Sequence, residues 1–182
     1  VCALQIPQRI TKVGLADSAP PMDTPEISAM APFPLRMNAL LARRLPSVLK
    51  LTFAAYWRYS RRNPEAFIQM AIKQSSQPDR EILERPDIYA MLVDVWKENI
   101  RVDCRGYVQD VEILMRPWGF QLCDVLAEVY LWQGEADKNT PQMWARTMAR
   151  ELPYCQADFF ANEGHFALFS RWQTILQAMV RT

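Results

Sequence analysis

The chain has 182 residues, half of them apolar and 23% charged, with a formal net charge of +1. That length suits one domain, or one domain with an insertion, and the composition is that of an ordinary globular protein. A near-neutral balance excludes the broad positive field of a nucleic-acid binder, and no apolar run approaches the roughly 18 residues of a membrane span.

The apolar stretch from Met37 to Trp57 is broken by Arg43, Arg44, Pro46 and Lys50, so no membrane partner is expected. The pairs Arg43-Arg44 and Arg61-Arg62 read as solvated helix faces. Cys2, Cys104, Cys123 and Cys155 are scattered without a C-x-x-C, and a single histidine cannot build a usual zinc cluster. Neither metal nor cofactor is expected. The cysteines read as small buried hydrophobes in a reducing compartment, which makes the expected location cytoplasmic. The chain opens with Val-Cys-Ala-Leu rather than methionine, and its true start is expected upstream.

In chain order, residues 1–6 read as a helix end stopped by Pro7. Ile10 to Ala16 is compact, apolar and partly β-branched, a buried strand. Ser18 to Pro25 is a turn-rich exit. From about Pro32 to Trp118 the pattern is helical throughout. Leu40, Leu41, Leu45, Val48 and Leu49 recur near a 3.6-residue period, with a break at Pro46. Asn63-Pro64 reads as a cap followed by proline at the first helical position, before the stripe Phe67, Ile68, Ala71 and Ile72. Ser75-Ser76 is an interhelix turn. Pro86 opens a helix with Ile88, Met91, Leu92, Val95 and Trp96 on one face. Val108, Val111 and Leu114 mark another, ending near Pro117.

The last third alternates. Val129 to Gln133 is strand-like. Thr140 caps a helix that starts at Pro141, carries Trp144, Ala145, Met148 and Leu152 along one side, and ends at Pro153. Ala157 to Phe160 is the next strand. Leu168, Phe169, Trp172, Ile175, Leu176 and Met179 predict an amphipathic terminal helix. The order is therefore α/β with parallel strands, carrying a helical insertion.

Two strand ends draw attention. Gly134-Glu135-Ala136-Asp137 follows one strand and Glu163-Gly164-His165-Phe166 the next, with one helix between. Such an order places an acid and the chain's only histidine side by side on one edge of a parallel sheet. That pair suits proton transfer in a hydrolase. Gly164 is expected to let the backbone turn tightly beside His165. Glu135 reads as solvated, or as a neighbour supporting the pair.

These residues resemble the α/β-hydrolase superfamily. Leu131 to Pro141 resembles its strand-then-acid segment, in which a G-x-x-D stretch precedes a proline. Glu163 to Phe166 resembles the segment with the histidine. Arg116-Pro117-Trp118-Gly119-Phe120 is similar to the point where a helical cap returns to the core, and Ile6 to Thr11 to the step that follows the nucleophile elbow. The resemblance implies Asp137 and His165 as acid and base of a nucleophile–histidine–acid triad, with Asp17 as the rival acid. It also implies three segments: core residues 1–24, a helical cap over 25–118, and a C-terminal core segment over 119–182. The cap aromatics Phe53, Tyr56, Trp57, Tyr59, Phe67, Tyr89, Trp96 and Tyr107 then either line an apolar cavity or pack helix on helix.

The family's chain order is nucleophile, acid, histidine. No G-x-S-x-G occurs here, and Ser18, Ser28, Ser47, Ser60, Ser75, Ser76 and Ser170 all lack the flanking glycines. The expectation is the C-terminal part of an α/β-hydrolase lacking the elbow region. The whole enzyme is expected to act on a small, mostly apolar substrate: an ester, an epoxide or a carbon–halogen compound. The alternative is a non-catalytic ligand-binding or scaffold protein with the same fold. A helical interaction module without a site is a third reading. No nucleic-acid partner is expected, and self-association through an exposed sheet edge is.

Overall fold

The computed structural model describes residues 1–22, 25–103, 105–114 and 117–180, and leaves the side chains of Pro25 and Tyr107 aside. Cys104, Arg116 and the Tyr107 ring, named above, lie outside the described residues. By internal contacts the chain divides into two units, Val1–Pro32 with Pro117–Thr182, and Phe33–Arg116.

The first unit is built on a parallel sheet in the order β1 (Lys12–Ala16), β2 (Glu128–Gly134), β3 (Cys155–Phe160). Val13 stands opposite Val129 and Leu15 opposite Leu131. Across the other side Leu131 faces Ala157 and Gly134 faces Phe160. The run Val-Tyr-Leu-Trp of β2 is apolar because both faces of a central parallel strand are covered. Val129 and Leu131 are each 1% exposed and worth about 1.5–3 kcal/mol apiece over an exposed position. By contrast β1, expected as a buried strand, is only half-buried along its length. It borders the described sheet and has one paired neighbour.

Helices cover the sheet on both faces. Helix α9 (Gln142–Glu151) sets Ala145 and Met148 into one cluster with Val129, Leu131, Leu122, Val125 and Leu152. On the other face Gly14 lies against Trp132 and Met179, so α10 (Ala167–Val180) crosses there. Ile175 of α10 is buried, but Phe169, Trp172 and Leu176 of the expected stripe are exposed. Helix α2 (Pro25–Met30) belongs to this unit, because the Trp144 indole N–H donates to the Ile27 carbonyl at 3.2 Å. A short helix, α1 (Cys2–Gln5), and a 3-10 turn at Pro7–Arg9 precede β1.

The second unit is helical. It comprises α3 (Phe33–Arg44), α4 (Pro46–Arg62), α5 (Pro64–Gln74), α6 (Gln77–Leu83), α7 (Pro86–Asn99) and α8 (Arg105–Leu114). Prolines open α4, α5 and α7, where a missing N–H costs nothing and the ring presets φ. Asn63 holds the expected cap position of α5 but makes no side-chain cap bond. In α7 the buried positions are Ile88 and Val93, while Met91 and Val95 face outward. Of the aromatics, Tyr56, Phe67 and Trp96 pack ring against ring, at 5.5 Å edge-on and 4.6 Å stacked. The Trp57 indole donates to the Ile100 carbonyl.

The three described cysteines do not behave as small buried hydrophobes. Cys2 and Cys123 are exposed, on a short surface helix and a 3-10 turn, and Cys155 is half-buried, with its thiol pushed up by burial. Among the described residues no helix is long and apolar enough to cross a membrane.

Candidate active site

Register aligns the tips of β2 and β3, because Gly134 pairs with Phe160. The two loops that leave them then clasp each other. Glu135 N–H donates to the Phe160 carbonyl at 3.0 Å, and Ala136 N–H to the Glu163 carbonyl at 2.8 Å. A Cβ at Gly134 would meet the Gly164 oxygen at 2.3 Å, so only glycine admits this approach. The left-handed residue after β3 is Asn162, at φ 61°, two residues before Gly164, which the sequence singles out for the turn. Asparagine tolerates the left-handed region through its short polar side chain.

Within this clasp His165 Nδ1 lies 2.9 Å from Asp137 Oδ2. An ionised carboxylate only accepts, so Nδ1 carries the proton of that bond. The Asp137 side chain is fully buried and the His165 side chain 30% exposed. Asp137 Oδ1 takes the backbone N–H groups of Asn139 and Thr140, at 2.7 and 3.0 Å. Oδ2 also accepts from the Thr140 hydroxyl and from Gln133 Nε2. Burial alone would push the Asp137 carboxyl up; the bonds from His165 and Thr140, with the imidazole charge, outweigh it and hold the group below the ordinary carboxyl value.

Thr140 is thus part of the acid loop rather than the cap of α9, whose first helical residue is Gln142. Asp17 stands at the tip of β1, where its Oδ1 accepts the Gly134 N–H at 3.1 Å. The rival acid therefore braces the glycine that begins the Asp137 loop. Glu135 is on the surface, held by Gln142 Nε2 at 2.7 Å and near Arg146. On the histidine side Glu163 accepts from Ser170 Oγ at 2.8 Å and pairs with Arg171, tying the loop to α10.

Sequence reasoning missed Gln133. It is 1% exposed, and its Nε2 reaches Gly134 O, Asp137 Oδ2 and Thr140 O, each at 3.1 Å. Among the described residues its Oε1 is buried without a partner, at a cost of about 1–3 kcal/mol. The available signal was a polar residue ending an apolar strand run, since buried amides are kept for their hydrogen bonds. Among the described residues no cluster of three or more His, Cys, Asp or Glu could hold a metal ion.

No family model matches the chain, and no curated protein sequence does. Solved structures do. The chain is 17% identical to an enol-lactonase from Burkholderia xenovorans LB400, with a TM-score of 0.61 over 98% of this chain and 58% of that one. It is 14% identical to MGS-M2, an α/β-hydrolase enzyme from a Medee basin deep-sea metagenome library, at a TM-score of 0.60 over 99% and 60%. An esterase from Exiguobacterium antarcticum matches at 14% identity and a TM-score of 0.60, over 93% and 56%. The chain spans less than two thirds of the length of these neighbours. Over that span, with parallel strands, a helical insertion and an acid and a histidine on adjoining strand tips, the chain has the α/β-hydrolase fold.

Proposed function

We propose that this chain supplies the acid and base of a hydrolase triad, Asp137 and His165, to a nucleophile that lies outside these 182 residues. The observation that carries the reading is the 2.9 Å bond between His165 Nδ1 and a fully buried carboxylate. With the proton on Nδ1, Nε2 is the basic nitrogen of the ring, the one that would take the proton of an attacking hydroxyl and return it to the leaving group. Asp137 holds the ring in the tautomer that makes Nε2 the basic nitrogen and stabilises the imidazolium that forms. A carboxyl kept below its ordinary value stays ionised throughout the range in which the imidazole works.

The substrate class proposed is a small, mostly apolar ester, with serine as nucleophile. Aspartate at the same place would suit an epoxide or a carbon–halogen bond instead. The test begins with the coding sequence upstream of Val1. The longer protein is then assayed on p-nitrophenyl acetate and butyrate, beside its His165→Ala variant. Loss of about a thousandfold or more in kcat is expected. An upstream region with no nucleophile on a strand-to-helix turn, or turnover indifferent to H165A, overturns the proposal and favours a non-catalytic binder of the same fold.

A further inference from the structure

We propose that Gln133 is a positioning residue for the acid: its amide nitrogen refers the Asp137 carboxylate to the sheet and keeps Oδ2 on the His165 ring. The inference rests on the dyad proposed above and adds a residue to it. Asp137 sits in the loop that joins β2 to α9. Its other hydrogen-bond donors on this segment, Asn139 N–H, Thr140 N–H and the Thr140 hydroxyl, belong to the loop itself and move with it. They shape the carboxylate's surroundings but cannot fix the loop against the strands. Gln133 can, because it is a residue of β2, paired with Phe159 of β3.

Its contacts are placed for that task. One nitrogen reaches the Gly134 carbonyl where the loop begins, the Thr140 carbonyl where it ends, and Asp137 Oδ2 between them. The reverse amide orientation would set a carbonyl oxygen against three acceptors, so the assignment of nitrogen to this side follows from the chemistry. The far side of the same amide argues likewise. Among the described residues Oε1 is buried with no hydrogen-bond partner, a penalty that an apolar side chain of similar size would avoid. The favourable contacts of this amide are therefore those of its nitrogen. A site is held most closely when a rigid element, rather than its own loop, supports it.

The test uses the chain's single histidine, whose ring nitrogens give unambiguous ¹⁵N resonances. Spectra of the whole chain are taken at pH 8, where an ordinary imidazole is neutral. The Nδ1–H tautomer should dominate in the unaltered protein. Asp137→Asn, the reference, should reverse that preference. Gln133→Met, of similar volume but without the donor, should move the tautomer ratio at least threefold toward Nε2–H. A purely structural role would lower the melting temperature and leave the ratio where it was; that result overturns the proposal. Should Gln133→Met fail to fold, Gln133→Glu decides, because its ionised carboxyl puts an acceptor in the donor's place: a changed ratio supports the proposal and an unchanged one overturns it. If Asp137→Asn itself leaves the ratio unaltered, the dyad fails and the role of Gln133 with it. A response to D137N without one to the Gln133 variants removes Gln133 alone.

Discussion

Gly134 lies beneath the carbonyl of Gly164, and the space between them is too small for a methyl group. A Cβ there would stand 2.3 Å from that oxygen and 2.6 Å from the Glu163 oxygen, both backbone atoms that cannot swing aside. The acid loop and the histidine loop touch only because position 134 has no side chain. Gly134→Ala is therefore expected to destabilise the protein by about 1–3 kcal/mol, the usual range for a forced extra carbon in a packed region. The forced separation should also break the bond between Asp137 and His165. Denaturant unfolding measures the first effect and the His165 ring resonances the second. An alanine variant as stable as the parent would show that the loops have slack.

The Asp137 carboxyl titrates below its ordinary value in the folded state, chiefly because bonds from His165 and Thr140 outweigh the cost of burial. A depressed acid contributes stability that is fully present above its unfolded value of about 3.9 and fades as pH falls through the lower folded value. Asp137→Asn is thus predicted to lose about 2–3 kcal/mol at pH 7, on the scale of hydrogen bonds to a charged group. The gap between variant and parent should narrow below about pH 4. Unfolding curves at pH 7 and pH 3 check this, and a gap of equal size at both would mean the carboxylate's charge adds nothing.

Much of this fold was legible because short-range chemistry and tertiary packing agree. The β2 run Val-Tyr-Leu-Trp is apolar and its strand is covered on both faces; Pro64 and Pro86 open helices that the structure starts there, and the break expected at Pro46 falls where α3 gives way to α4. The adjacency of Asp137 and His165 followed from topology, since successive parallel strands deliver their loops to one edge. What stayed hidden depends on contacts across the fold. Thr140 looks like a helix cap, and only the loop's path turns its hydroxyl onto Asp137. Residue type points to Gly164 for the turn beside His165, and the left-handed conformation of that loop at Asn162 has no such signal. The general habit of cysteine puts Cys2 and Cys123 inside, yet both are exposed, because no local pattern states burial.

Glu163 fastens the histidine loop to α10 through Ser170 and Arg171. The Arg171 side chain is 44% exposed, so most of this pairing is screened by solvent and its worth is small. Glu163→Gln should cost no more than about 1 kcal/mol. Its effect should instead appear as faster amide exchange at Ala136, whose N–H is held by the Glu163 carbonyl. Exchange unchanged at Ala136, with Glu163→Gln folded, would place the rigidity of the clasp elsewhere.

The exposed side of α10 bears Phe169, Trp172, Leu176 and Val180, spaced three or four residues apart and 37–74% exposed. A helix stripe of this size is ordinarily covered. Beside it the sheet ends at β1 and β3, strands that have one paired neighbour each among the described residues. Taken alone, the chain is expected to self-associate as its concentration rises. Sedimentation velocity across a hundredfold concentration range reads this directly. Trp172→Glu with Leu176→Lys should shift the distribution toward monomer if the helix stripe is the contact. Association that persists undiminished in the folded double variant would assign the contact to a strand edge instead, and a clean monomer throughout would remove the prediction.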